Sequence, residues 1–387
     1  MRVLVLILVL ANVACNSAKK NDSQPSDKES SAFSGGMQGM ASDVQKLLPY
    51  IYDREAFHDP KNHEEIHKDL QQFVQVAHHI KPETGKKFLG DDLLVEYSLS
   101  SLNDDLGRAL HSFEAGQLEY SRSVTKASLS YCFQCHSVAQ EGKSAAWDLD
   151  KLENLSLAPL ERADLLVATR KYDKALSFME SQLNSADFLK NYAFDFESML
   201  RRYLALIIRV ENNPRRALNE LNKILDHGDT PHYIAEQADG WRQSLKSWKK
   251  EKKHELKTPK AIFDEVERRF KKAEGIQHYE KDHAGDVEFL RATAILHEGL
   301  KVIKKPADEA QALYLLGRAY EVLDELGSWN LHETYYEACV EKAPKDPIAK
   351  RCYSRLEASL YMGYSGSSGT HLPPEEKERL KRLKDKL

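Results

Sequence analysis

Long apolar runs are scarce in this chain of 387 residues. The longest unbroken one, Val3 to Ala11, is too short to span a bilayer as a mature helix. Excess charge of one sign is missing too. Lys and Arg number 56 against 60 Asp and Glu, a net of -4, and no long basic run appears, so nothing calls for nucleic acid. Period-two alternation is absent, which leaves no convincing strand. There is no Gly-rich phosphate loop, no Gly-x-Ser-x-Gly and no His-Glu-x-x-His, which excludes the chemistry those motifs carry. Cysteine is rare, with five in the chain. Three of the five sit where they carry meaning: Cys15 closes the N-terminal run, and Cys132 and Cys135 share a heptapeptide, "YCFQCHS", with His136.

What is present begins with export. One positive charge, an apolar core and then Asn12-Val13-Ala14-Cys15 have the layout of a signal peptide. The stretch resembles a bacterial lipoprotein box, except that Asn12 stands where an apolar residue is usual. The resemblance implies that Cys15 is lipidated and becomes the mature N-terminus; simple cleaved secretion and an uncleaved anchor are the alternatives. Residues 16–41 are rich in Ser, Lys, Asp and Gly and read as an unfolded tether. The chain is therefore expected in an oxidising, periplasm-facing location, anchored by lipid to the inner or outer membrane. Asn16 favours the outer membrane by resemblance to enterobacterial sorting.

From Ser42 onward the pattern is helical throughout, which predicts an all-α fold. Four helices are expected over 42–140. The first carries Val44, Leu47, Leu48 and Ile51, with Ser42 and Gln45 as a capping box. The second carries Ile66 to Ile80, and the third Val95 to Phe113, stopped by Gly116. The fourth carries Tyr120, Val124, Ala127, Tyr131 and Cys135 in phase. Short connections make this an up-down-up-down four-helix bundle. Residues 141–155 read as a linker. Over 156–387 about ten more helices are expected. "ATRKYDKALSF" (168–178) and "RVENNPRRALNEL" (209–221) share a phrase about 42 residues apart. Leu313, Leu316, Gly317, Tyr320, Tyr335, Ala338 and Pro344 resemble a tetratricopeptide repeat (TPR), so this region is expected to be a TPR-like α-solenoid. The Lys-rich patches near 249–257 and 379–386 read as solvated helix faces. "SGSSGTHLPP" (365–374) is a loop before a final polar helix, without chemical meaning of its own.

Cys132, Cys135 and His136 have the spacing of a c-type haem attachment site. Each thiol can add to one vinyl group of a porphyrin, and the adjacent histidine can then ligate the iron. A zinc site needs further ligands, and the only other cysteines of the mature chain, Cys339 and Cys352, lie about 200 residues away. A thioredoxin-like pair expects a strand leading into the motif, where here a helix does. Zinc, a redox dithiol and accident remain as competing readings. Cys339 and Cys352 flank the turn "PKDP" at equal distances, so a structural disulfide across a helical hairpin is expected.

A four-helix bundle carrying Cys-x-x-Cys-His near the end of its last helix resembles the cytochrome c′ family, over about a quarter of the chain. The resemblance implies one covalent haem c on Cys132 and Cys135, with His136 as proximal iron ligand. In that family the sixth position is either open to small gases or closed by methionine. The haem end of such a bundle holds Met37, Met40, His78 and His79. Helical phase favours Met40 and turns both histidines away. An open or water-bound site is the first alternative, followed by His78 or His79 and then Met37. His58, His63, His67 and His111 fall at the opposite end. No catalytic residue is assigned, and an electron carrier or binding protein is expected rather than an enzyme. The leading expectation is electron transfer, with a redox partner or protein ligand on the repeat region. The alternatives are a sensor or scavenger of gases such as NO, and an interaction scaffold with a structural or regulatory haem.

Overall fold

The computed structural model describes residues 27–85, 92–138, 155–226, 230–252, 255–280, 282–323 and 330–387. The fold is all-α, 79% helical, with one two-residue hairpin pairing Ser365–Gly366 to Gly369–Thr370. Among the described residues no helix is long and apolar enough to cross a membrane. Cys15 and most of the expected linker, from 141 to 154, lie outside the described residues.

The first helix, α1 (Asp27–Ile51), starts well before Ser42. The tether expected over 16–41 is therefore helical from Asp27, and Ser42 is an exposed mid-helix residue, not a cap. The reason is that the apolar stripe of Met40, Val44, Leu47 and Ile51 continues upstream through Met37 and Phe33 at helical spacing. The glycines that argued against a helix serve close packing on α3 (His63–His79) and its C-cap Ile80. A Cβ on Gly36 would stand 2.7 Å from Ile80 Cγ1, and one on Gly39 would stand 3.2 Å from Val76 Cγ1. Losing about 1 kcal/mol of helix propensity at each glycine is offset by that approach.

Between α1 and α3 lies the short α2 (Arg54–His58), capped by the Asp53 side chain. After α3, α4 (Leu93–Glu114) is capped by Asp92, whose carboxylate accepts from the Leu94 amide at 3.0 Å. It ends at Gly116 in the left-handed region, as expected. The fourth expected helix is two pieces, α5 (Leu118–Ser128) and α6 (Ser130–His136), broken at Leu129. Its buried face also differs from expectation. Tyr120 is 51% exposed, while Ser121, Thr125 and Ser128 are buried against the neighbouring helices. Two of these hydroxyls can be buried because they bond back to the helix. Thr125 Oγ1 donates to Ser121 O at 2.8 Å, and Ser128 Oγ donates to Thr125 O at 2.8 Å.

The second region stacks antiparallel helices: α7 (Pro159–Ala168), α8 (Tyr172–Leu183), α9 (Ala186–Asn191), α10 (Ala193–Leu206), then a π-helical turn (Ile207–Glu211) and α11 (Pro214–Asp226). It continues with α12 (His232–Trp248), α13 (Pro259–Ile276), α14 (Asp286–Gly299), α15 (Pro306–Tyr320), α16 (Leu331–Lys342), α17 (Pro347–Gly363) and α18 (Pro374–Lys384). Gly317 is a close-approach site between α15 and α16, where a Cβ would stand 2.5 Å from Tyr336 Cε1. Cys339 on α16 and Cys352 on α17 form the expected disulfide, Cα to Cα 6.2 Å, with both residues fully buried.

The two regions share core. Helix α6 packs on α7, and α4 packs on α16. At that junction Asp92 is fully enclosed. Its carboxylate takes the His297 Nδ1 proton and accepts from Tyr335 OH at 2.8 Å. His297 Nε2 pairs with Tyr320 OH at 2.8 Å, and the Tyr320 and Tyr335 rings stack at 5.7 Å.

Candidate functional site

One pocket gathers the middle of α1, the second half of α3, the first half of α4 and α6. Its empty space is about 710 Å³ when the open solvent at its mouth is counted in. Met37, Met40, Ala41 and Val44 form one wall, and Phe73 of α3 closes its end. Val95, Ser98, Leu99 and Leu102 of α4 form the next. Tyr131, Cys132, Cys135 and His136 form the third. Leu165 and Ala168 of α7 complete it from the second region. The lining is apolar apart from the Ser98 and Tyr131 hydroxyls, the two thiols and the imidazole. Tyr131 OH donates to Asp105 Oδ2 at 3.1 Å, and burial followed by that carboxylate pushes its phenol upward.

Cys132, Cys135 and His136 are adjacent because α6 is a helix, where residues three or four apart share a side. Phe133 anchors the turn in the core at 1% exposure. Both thiols are free. Burial pushes Cys132 up to about 11 and Cys135 up to about 12, with the positive charge of Arg170 opposing the shift at Cys135. Both are therefore protonated thiols at neutral pH.

His136 has a defined tautomer. Its Nδ1 lies 2.7 Å from Ala168 O, and a carbonyl can only accept, so Nδ1 carries the proton. Nε2 then holds the lone pair, the arrangement that second-shell carbonyls impose on metal-ligating histidines. Burial, then the charge of Arg170, lowers its pKa to about 3, so the ring stays neutral and ligation-competent. Tyr172 OH donates to His136 O at 2.9 Å.

The pocket contains Met40 and Met37 as the sequence placed them. Met40 is the more enclosed, at 8% exposure. His78 and His79 are exposed and outside the lining; His79 Nδ1 bonds to Gln75 O at 2.6 Å. His63 and His67 sit at the other end against the Phe113 ring, at 5.7 and 6.0 Å, and His58 sits beside Phe57 there. Leu165, Ala168 and Tyr172 are the site residues that sequence reasoning missed. Ala168 acts through its main-chain carbonyl, which has no side-chain signature.

Among the described residues no three His, Cys, Asp or Glu side chains cluster to hold a metal ion. A porphyrin brings its own equatorial nitrogens and asks the chain for two thiols, one imidazole and an apolar cavity. The residues present fit that request. No protein-family model matches the chain, and neither the curated proteins nor the solved structures hold a significant match.

Proposed function

We propose that this chain is an exported, lipid-anchored c-type cytochrome that carries one covalent haem and transfers electrons. In this reading α1, α3, α4 and α5–α6 are an up-down-up-down four-helix bundle similar to cytochrome c′. The helices from α7 onward are a TPR-like solenoid that docks a redox partner or other protein ligand. The single observation that carries the reading is the pocket itself: methionine from α1 and the Cys-x-x-Cys-His turn of α6 face the same apolar space.

Haem bound there would supply a one-electron iron couple. Cys132 and Cys135 would hold it covalently through their two free thiols. His136 offers Nε2 to the iron, with Ala168 O fixing the ring. Met40 offers a thioether from the opposite wall, with Met37 one turn away. Leu99, Leu102, Val44 and Phe73 exclude water, which keeps the charge of the centre in a low-dielectric setting and tunes its potential. Cys15 supplies the lipid anchor, and the residues between it and α1 the reach from the membrane.

The test is the visible spectrum of full-length protein made in a host with a haem-attachment system. Haem that remains with the chain after acid–acetone extraction, and is lost in Cys132→Ser/Cys135→Ser, supports covalent attachment. A low-spin spectrum indifferent to carbon monoxide, turning high-spin in Met40→Ala, supports methionine ligation and electron transfer. A wild-type spectrum that is high-spin and shifts promptly with the gas would replace that reading with gas binding at an open site.

A further inference from the structure

One turn of the second region holds His136 from behind. It runs from Ala168 to Tyr172, between α7 and α8. Ala168 O accepts the Nδ1 proton of His136, Tyr172 OH donates to His136 O at 2.9 Å, and Arg170 Nη1 donates to Tyr172 OH at 3.1 Å. The turn itself is firmly tied. Thr169 Oγ1 donates to Leu165 O and Leu166 O at 2.9 and 3.0 Å, and the Arg170 and Lys171 amides donate to Val167 O and Leu166 O at 2.8 and 2.9 Å. That is the left-handed ending that usually places glycine or asparagine after a helix.

Here the left-handed residue is Arg170, with φ 58°. A non-glycine side chain in that region costs roughly 1–2 kcal/mol. The chain shows what the backbone alone prefers. The matching turn before α11 carries Asn212, at φ 54°, 42 residues later and in the same place relative to Ala217 as Arg170 is to Ala175. Asparagine is among the residues that tolerate this conformation. The backbone gives no reason for arginine at the first turn, whereas its side chain, reaching Tyr172 behind His136, does.

We propose that Arg170 is a positioning residue whose fixed positive charge raises the reduction potential of a haem held at His136, so that the second region is part of the redox centre. The proposal rests on the haem reading above. A fixed cation favours whichever oxidation state carries less positive charge, which is the reduced one, and at a half-buried site its field is screened less than in open water.

The experiment is a spectroelectrochemical titration of full-length wild type, Arg170→Asn and Arg170→Lys, each with a thermal melt. Arg170→Asn keeps a residue the fold already uses in the equivalent turn and removes the charge. Its potential is expected to fall, with an unchanged ligand-set spectrum and a melting temperature equal to or above wild type. Arg170→Lys is expected to recover most of the potential. An unchanged potential in Arg170→Asn overturns the proposal. Equal shifts in Asn and Lys variants also overturn it, because they make the effect conformational. Wild type without covalent haem would defeat the functional reading and this inference together, whereas haem present without a shift defeats this inference alone.

Discussion

Asp92 and His297 stand 205 residues apart in the chain and share a buried hydrogen bond where α4 meets α14. Asp92 also caps α4 and accepts from Tyr335, so one carboxylate serves three elements. Removing one partner of a buried pair leaves the other uncompensated, which costs about 3–5 kcal/mol. Asp92→Ala is therefore expected to lose at least about 3 kcal/mol in urea unfolding at pH 7. A loss below about 1 kcal/mol would show that the junction does not depend on this contact.

The same carboxylate predicts a pH dependence. Burial alone pushes Asp92 up, but the charge and hydrogen bond of His297, the Leu94 amide and the Tyr335 hydroxyl outweigh it, and the net direction is down. A carboxyl depressed on folding stabilises above its unfolded value, about 3.9, and loses that contribution as pH falls through its folded value. Wild type should thus lose melting temperature faster below about pH 4 than Asp92→Asn does. Parallel curves for the two proteins would refute the assignment.

Two neighbouring glycines of α1 should respond with opposite sign. A Cβ on Gly35 meets nothing within 4 Å, whereas one on Gly36 meets Ile80 at 2.7 Å. Gly35→Ala is expected to stabilise by about 0.5–1 kcal/mol through helix propensity. Gly36→Leu is expected to destabilise by about 1–3 kcal/mol through overpacking. Because Met37 and Met40 ride on the same helix, Gly36→Leu should also perturb the haem spectrum while Gly35→Ala leaves it unchanged. The measurements are chemical denaturation and the absorbance spectrum, and equal effects of both substitutions would remove the close-packing argument.

Thiol chemistry gives a fourth expectation. With Cys132 raised to about 11 by burial, the thiolate fraction at pH 8 falls about 100-fold against a free cysteine, and Cys135 falls further. In haem-free native protein, alkylation of both by iodoacetamide at pH 8 should run at least about 10-fold slower than in urea. If native and unfolded rates match, the pocket is open to solvent. If the chain carries covalent haem as proposed, the slow result has a biosynthetic corollary: attachment acts before α7 packs on α6.

Much of this site can be read before the fold is known, and the exceptions have physical causes. Cys132, Cys135 and His136 are legible because their chemistry depends on local spacing, and Met40 because helical phase puts it on the core stripe. The early start of α1 was hidden by Gly36 and Gly39, which carry a propensity penalty and whose packing benefit lies on α3. The inward face of α5 was hidden because Ser121, Thr125 and Ser128 look polar, although each of the latter two satisfies its hydroxyl within its own helix. Ala168 was out of reach, since a backbone carbonyl meeting a ring 32 residues upstream leaves no trace in residue type.

The disulfide offers the last prediction. Cys339 and Cys352 close a loop with a sequence separation of 13, and cross-linking a loop of that size restricts the unfolded chain by about 3 kcal/mol in the chain-entropy treatment. The bridge lies between α16 and α17, and α16 is also the helix that carries Tyr335 to Asp92 and Tyr336 to Gly317. Loosening α16 therefore reaches the junction with α4, whose first turns line the pocket of Cys132, Cys135 and His136. Cys339→Ala/Cys352→Ala should lose about 2–4 kcal/mol of stability. In native-state hydrogen exchange it should also raise exchange at the start of α4, relative to the start of α11, which has no contact with α16 through this network. Protection at α4 that survives intact would confine the bridge to its own hairpin.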